Sequence, residues 1–169
     1  MKVFIIAALS ADGLMGAHDS QSSLDWRSKE DGASFSTFTR DAGVMVLGSA
    51  TYRTFRMKRA PPGRRLLVYT HHPASVEGEG VEATAEDPKR LVKQLARDGY
   101  PALAVCGGAA INTLFLQAGV VDELYLTIEP VLFGGGVPLL RGAGITKLRL
   151  LDATCLNPST LLLHYAVLK

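Results

Sequence analysis

LAVCGGAAINTLFLQAGVVDELYLTIE, residues 103–129, is the stretch from which the fold is read. It parses as a short buried strand over 103–106, a glycine turn at Gly107-Gly108, a helix over 109–118 and a second strand over 123–128. Glycines between strand and helix let a ligand approach the backbone, and the first turn of the helix offers unpaired N–H groups carrying partial positive charge. Such a turn suits a pyrophosphate. On these two glycines alone, a tight connection without a ligand fits equally well.

Working outward, the 169 residues predict one domain, 1–169, with a sizeable core. Hydrophobic residues make up 47% and charged ones 20%, which excludes a disordered chain, and the net charge of +2 argues against a dedicated nucleic-acid binder. The charge is unevenly spread. No Asp or Glu occurs over 42–76, where Arg53, Arg56, Lys58, Arg59, Arg64 and Arg65 gather, so this run is either a solvated basic loop or a local anion site. Two distant cysteines, Cys106 and Cys155, without a signal peptide fit a reducing, cytoplasmic setting. No apolar run approaches the ~18 residues of a membrane span.

Ahead of the central unit, the apolar run 3–9 reads as a central strand covered on both faces. Residues 14–30 show no period and read as a long loop of the kind that forms lids. A helix follows with Asp31 at its head, Phe35 and Phe38 on one side and Gly43 as its stop; an acid there is ordinarily a cap. A second strand, 44–47, runs through Gly48-Ser49-Ala50-Thr51 into a short helix with Tyr52 and Phe55, repeating the grammar of Gly107. Two such turns in one sheet can bracket one dinucleotide. A third strand, 66–70, ends at His71-His72, whose side chains point to opposite faces, so no metal site is expected. Residues 81–84 form another strand, and Asp87-Pro88 opens a helix that Gly99 closes. The glycine-rich 130–144 crosses to the sheet edge, and 147–155 with 161–168 make a closing hairpin around Asn157-Pro158-Ser159. The sum is an α/β fold, a mostly parallel central sheet with an antiparallel C-terminal edge hairpin. Ligands in such sheets bind beyond the carboxyl ends of the strands, where Ala8, Gly48, Thr70 and Gly107 fall.

AALSADGLMG, the spacing Trp26-x4-Asp31-x3-Phe35, Gly48-x2-Thr51-Tyr52, Pro62-Gly63-Arg64, Gly107-Gly108 and Leu124-Tyr125-Leu126-Thr127, in that order, resemble the dihydrofolate reductase superfamily over essentially the whole chain. Within it, the tail segments EPVLFGGGVPLL and LLLHYAVL resemble the reductase domain of riboflavin-biosynthesis deaminase-reductases. The resemblance implies a dihydrofolate reductase-like three-layer fold, NADPH as cofactor, a pterin-like or aminopyrimidine substrate and a homodimer. It further implies that the backbone at Ala8 and Met15 holds the nicotinamide. Gly48, Ser49, Ala50 and Thr51 would contact one side of the pyrophosphate, and Cys106, Gly107, Gly108, Ala109, Ala110 and Ile111 the other, with a cis Gly107–Gly108 peptide. Thr70 and His71 would lie by the adenosine ribose and its 2′-phosphate. Asp31 and Thr127 would be the catalytic carboxylate and its hydroxyl partner, and Ile6, Trp26, Phe35 and Arg64 would bind substrate. A carboxylate suits that place because hydride transfer to a C=N carbon leaves a nitrogen needing a proton, and burial raises a carboxyl's hold on one.

The chain departs from that pattern in three places. Ser49 stands where many members carry a base for the 2′-phosphate, leaving Arg53, Arg56 or His71 to serve. Nothing in these residues matches the deaminase half or an Asp-x-Pro substrate loop. Pro62-Gly63-Arg64 instead resembles the place where folate reductases hold a carboxylate tail, so dihydrofolate stands as the alternative substrate. Two other readings use the same residues. One is a Rossmann unit with Glu129 on the ribose and Asn112 at the third glycine position. The other is a non-catalytic nucleotide-binding module that makes no use of Asp31.

Overall fold

Alternation along the first strand sets the layers. In the computed structural model, which describes residues 1–55, 57–142 and 144–169, strand β1 (Lys2–Ser10) sends Val3 and Ile5 into one apolar cluster and Phe4 and Ile6 into another. The remaining elements follow in order: β2 (Leu14–Gly16), α1 (Lys29–Ala42), β3 (Val44–Gly48), α2 (Ser49–Phe55), β4 (Arg65–Tyr69), β5 (Val81–Thr84), α3 (Pro88–Arg97), β6 (Ala102–Val105), α4 (Ala109–Gln117), β7 (Glu123–Glu129), β8 (Val137–Pro138), β9 (Leu148–Asn157) and β10 (Thr160–Val167). Eight strands form one sheet in the order β5-β4-β3-β6-β1-β7-β10-β9. From β5 to β7 all neighbours are parallel, and β10 turns antiparallel on β7 and pairs with β9.

Helices cover both faces of the parallel part. Phe35 and Phe38 of α1 and Tyr52 of α2 pack on the Phe4 side, while Leu91 and Leu95 of α3 and Phe115 of α4 pack on the Val3 side. The three layers and the closing hairpin are those expected. Because β3, β4 and β6 are covered on both faces, they read as largely continuous apolar runs; β3 is buried at every residue.

Three local expectations are refined. Residues 14–30 are not one long loop, since β2 and a 3₁₀ turn (Ser23–Asp25) occupy part of them. Helix α1 starts ahead of Asp31, and its cap is Ser28, whose Oγ accepts from Asp31 N at 3.2 Å. Segment 130–144 leads to the edge strand β9 as expected, but by a detour. It folds back so that β8 pairs with β2, and Asp12 accepts from Phe133 N and Gly134 N at 3.2 and 2.7 Å. Gly136 makes that pairing possible, since a Cβ there would stand 2.1 Å from Gly16 O. Arg56, part of the basic run, lies outside the described residues. Among the described residues, no helix is long and apolar enough to cross a membrane.

Candidate active-site cleft

The cleft opens where two neighbouring strands launch helices to opposite faces. After β3 the chain enters α2 on the Phe4 side; after β6, hydrogen-bonded beside it, the chain enters α4 on the Val3 side. Sheets of this kind leave a crevice at such a point. The two glycine turns stand side by side across it, Gly48 N donating to Gly107 O at 2.8 Å. Gly107 has φ +88° and the Gly107–Gly108 peptide is cis. A Cβ at Gly48 would lie 2.9 Å from Ile111 Cγ1, and one at Gly108 would lie 3.1 Å from Thr51 Oγ1, so side chains here would fill the crevice floor. No side chain caps α4, which leaves its first amides for the cleft.

The cavity measures about 780 Å³. Ile6, Ala8 and Met15 line it together with Gly48, Ser49, Ala50 and Thr51 of the first turn and Cys106, Gly107, Gly108, Ala109, Ala110 and Ile111 of the second. Asp31 and Phe35 close its far end. Burial pushes the Cys106 thiol's pKa up, against a smaller opposing pull from Arg64, which keeps it protonated at neutral pH.

Asp31 is 5% exposed, and its Oδ2 accepts from Arg27 Nη1 at 3.1 Å. The start of α1 that carries it is anchored from below. Ser28 donates through N and Oγ to Oε1 of the buried Glu129 at 2.8 and 2.7 Å, and Thr160 Oγ1 donates to Oε2 at 3.0 Å. Glu129 is therefore committed to fixing α1, which removes the Rossmann reading that placed it on a ribose. Asn112 likewise does not stand in for a third glycine: its Nδ2 donates to Leu139 O at 3.1 Å and ties α4 to the segment beyond β8.

Other expected site residues fall elsewhere. Thr127 is buried on β7, on the α1 side with Tyr125 and Glu129, but no hydrogen bond joins it to Asp31 among the described residues; Arg27 holds that carboxylate. Trp26 packs edge-on against Phe133, centroids 5.2 Å apart, and does not line the cavity. Arg64 is also outside it: Nη2 donates to Ser36 O and Oγ at 3.1 and 2.9 Å, and burial followed by the charge of Arg40 lowers its pKa. Thr70 Oγ1 accepts from His72 N at 3.0 Å and His71 is exposed, while Tyr69, one residue earlier, reaches the cavity.

Residues the sequence reading passed over include Arg27, Tyr69 and the rim pair Asp19–Arg141, 2.9 Å apart. Arg27 had a signal in its four-residue spacing from Asp31. Arg141 had none, because its contact crosses the length of the chain.

The sequence model of the family described as RibD C-terminal domain matches residues 1–162. An uncharacterized protein of Bacillus subtilis, YwjB, is 28% identical over 158 residues, covering 88% of each chain. The 2,5-diamino-6-ribosylamino-4(3H)-pyrimidinone 5′-phosphate reductase of Aquifex aeolicus is 45% identical over 111 residues, 64% of this chain but 48% of that protein. This chain therefore matches about half the length of that reductase. Among solved structures, dihydrofolate reductase of Enterococcus faecalis, complexed with NADP(H), superposes with a TM-score of 0.76 at 20% identity, covering 99% and 97% of the two chains. That likeness establishes the dihydrofolate reductase-like fold.

Proposed function

The chain belongs to the RibD C-terminal domain family, and on that premise we propose that it is an NADPH-dependent reductase of an aminopyrimidine substrate. One observation carries the reading. Two glycine turns, far apart in sequence, meet in a single crevice whose other end is the buried carboxylate of Asp31. The crevice fits the cofactor because its floor is kept clear by missing Cβ atoms and faces uncapped helix amides.

When bound, NADPH supplies the hydride. Ser49 to Thr51 and Gly107 to Ala110 would hold its diphosphate through backbone N–H groups, with Gly48 allowing close approach, and Ile6, Ala8 and Met15 would exclude water beside its ring. Phe35 packs on the substrate ring, and the Asp31 carboxylate, paired with Arg27, orients it where the reduced nitrogen takes its proton. Arg64, turned onto Ser36, weighs against a folate whose carboxylate tail would need it. Free thiols at Cys106 and Cys155 accord with a reducing cytoplasm. The same reading includes a homodimer, with a second copy covering the exposed Leu148, Leu150 and Leu151 of β9. Sedimentation equilibrium should then show twice the chain mass.

The test is NADPH oxidation with 5-amino-6-(ribosylamino)uracil phosphate and with dihydrofolate, side by side. Turnover of the uracil is expected. Turnover of dihydrofolate alone, or of neither, overturns the proposal.

A further inference from the structure

The catalytic end of the cleft holds a guanidinium as well as a carboxylate. Arg27 lines the cavity with its side chain 20% exposed, against 7% for Asp31. One N–H binds Asp31 Oδ2 at 3.1 Å, and no other acceptor among the described residues engages the guanidinium. The backbone on both sides is held, Arg27 N by Ser23 O at 2.9 Å and Ser28 N by Glu129 Oε1 at 2.8 Å. Room for the group comes from one residue. A Cβ at Gly32 would stand 2.5 Å from Arg27 Nη1 and 3.2 Å from Cζ and Nη2, so the guanidinium lies directly over the glycine of α1.

We propose that Arg27, seated on Gly32 and pinned by Asp31, is a specificity-determining residue of this site and selects a substrate ring with a carbonyl where a related ring carries an amino group. A bare carboxylate accepts from two adjacent donors, such as an exocyclic amine beside a ring N–H. Here one carboxylate oxygen is taken by Arg27, and the pair presents an acceptor next to a donor. Its complement is a ring N–H beside a carbonyl oxygen. An amino group at the carbonyl position meets a guanidinium N–H, leaving two buried donors facing each other.

This inference rests on the reductase reading for the location of the ring, and its test is independent of turnover. The probes are 5,6-diaminouracil and 2,4,5,6-tetraaminopyrimidine, in which amino groups replace both ring carbonyls so that no ring N–H beside a carbonyl remains. Calorimetric titration of the protein, with and without NADPH, should show the uracil binding tighter by about tenfold or more. Arg27→Met should erase or reverse that ratio by freeing the carboxylate for a donor pair. Gly32→Ala should narrow it by displacing the guanidinium while leaving both charged residues in place, and it keeps the fold because alanine favours the helix.

Equal binding of the two probes, preference for the amino probe, binding of neither, or an unchanged ratio in both variants would overturn the inference. Fluorescence titration with NADPH in the same samples separates the two ideas. Loss of cofactor binding with the probe ratio intact sinks the reductase reading alone.

Discussion

The two ends of the cleft are built from different materials. At the glycine end the working parts are backbone: Gly48, Gly107 and Gly108, and the uncapped start of α4. At the carboxylate end they are side chains: Asp31 and Phe35 on a helix whose start the buried Glu129 pins to the sheet, and Arg27 just ahead of that start. A backbone site depends on residues being absent, and a side-chain site on partners being present. The two ends should therefore fail in different ways.

The sharpest separation is Asp31→Asn. It should cut kcat by about 10²–10⁴-fold while NADPH affinity, measured by fluorescence, stays within twofold of the parent, roughly the span given for a positioned acid–base group. A parallel loss of NADPH affinity would mean that the two ends are not separate. Glu129→Ala comes next. Ser28 N, Ser28 Oγ and Thr160 Oγ1 lose a charged acceptor together, and urea unfolding should show a loss of about 3 kcal/mol.

At the opposite end, Gly48→Val should weaken NADPH binding by about 10–100-fold through crowding against Ile111, worth roughly 1–3 kcal/mol. Binding of 5,6-diaminouracil to the cofactor-free protein should survive that change. If it fell in step, the comparison would break.

The smallest effect is expected from acid, at the strand seam behind the carboxylate end. Glu123 is partly buried, which raises its pKa, but hydrogen bonds from Lys2, His164 and Tyr125 together outweigh burial and hold it below the usual carboxylate value of 4.5. Burial, reinforced by Glu123, pushes the Tyr125 phenol up to about 12. With the folded pKa depressed, the stabilisation from Glu123 is present above pH 4.5 and is lost as the pH falls through the folded value. Glu123→Gln should flatten that acid limb of a thermal-stability profile by lowering stability slightly in the neutral region and leaving the acid extreme little changed.

How far each end could be read from sequence follows from the same contrast. Gly107-Gly108 between an apolar run and a helix, and Gly48 in the same setting, announce close approach through local chemistry alone. Both turns stand where the spacing placed them. Asp31 was legible as an acid at a helix start, yet its neighbours were not. Ser28, three residues earlier, is the cap, and Arg27 takes the role that Thr127 was expected to hold. Arg64 sits in a recognisable run but spends its guanidinium on Ser36, a choice made by how β4 and α1 pack.

By itself the sequence determined the strands of the main sheet and the helices that cover it, that the central strands are buried on both faces, and where the backbone must come bare of side chains. These rest on period, apolar runs and glycine, all properties of neighbours along the chain. Only the tertiary structure decided which polar groups face one another: Glu129 under Ser28, Arg27 over Gly32, Asp19 with Arg141 across the rim. A buried donor or acceptor must find some partner, but which one depends on elements brought together from distant parts of the chain, and no local pattern encodes that choice.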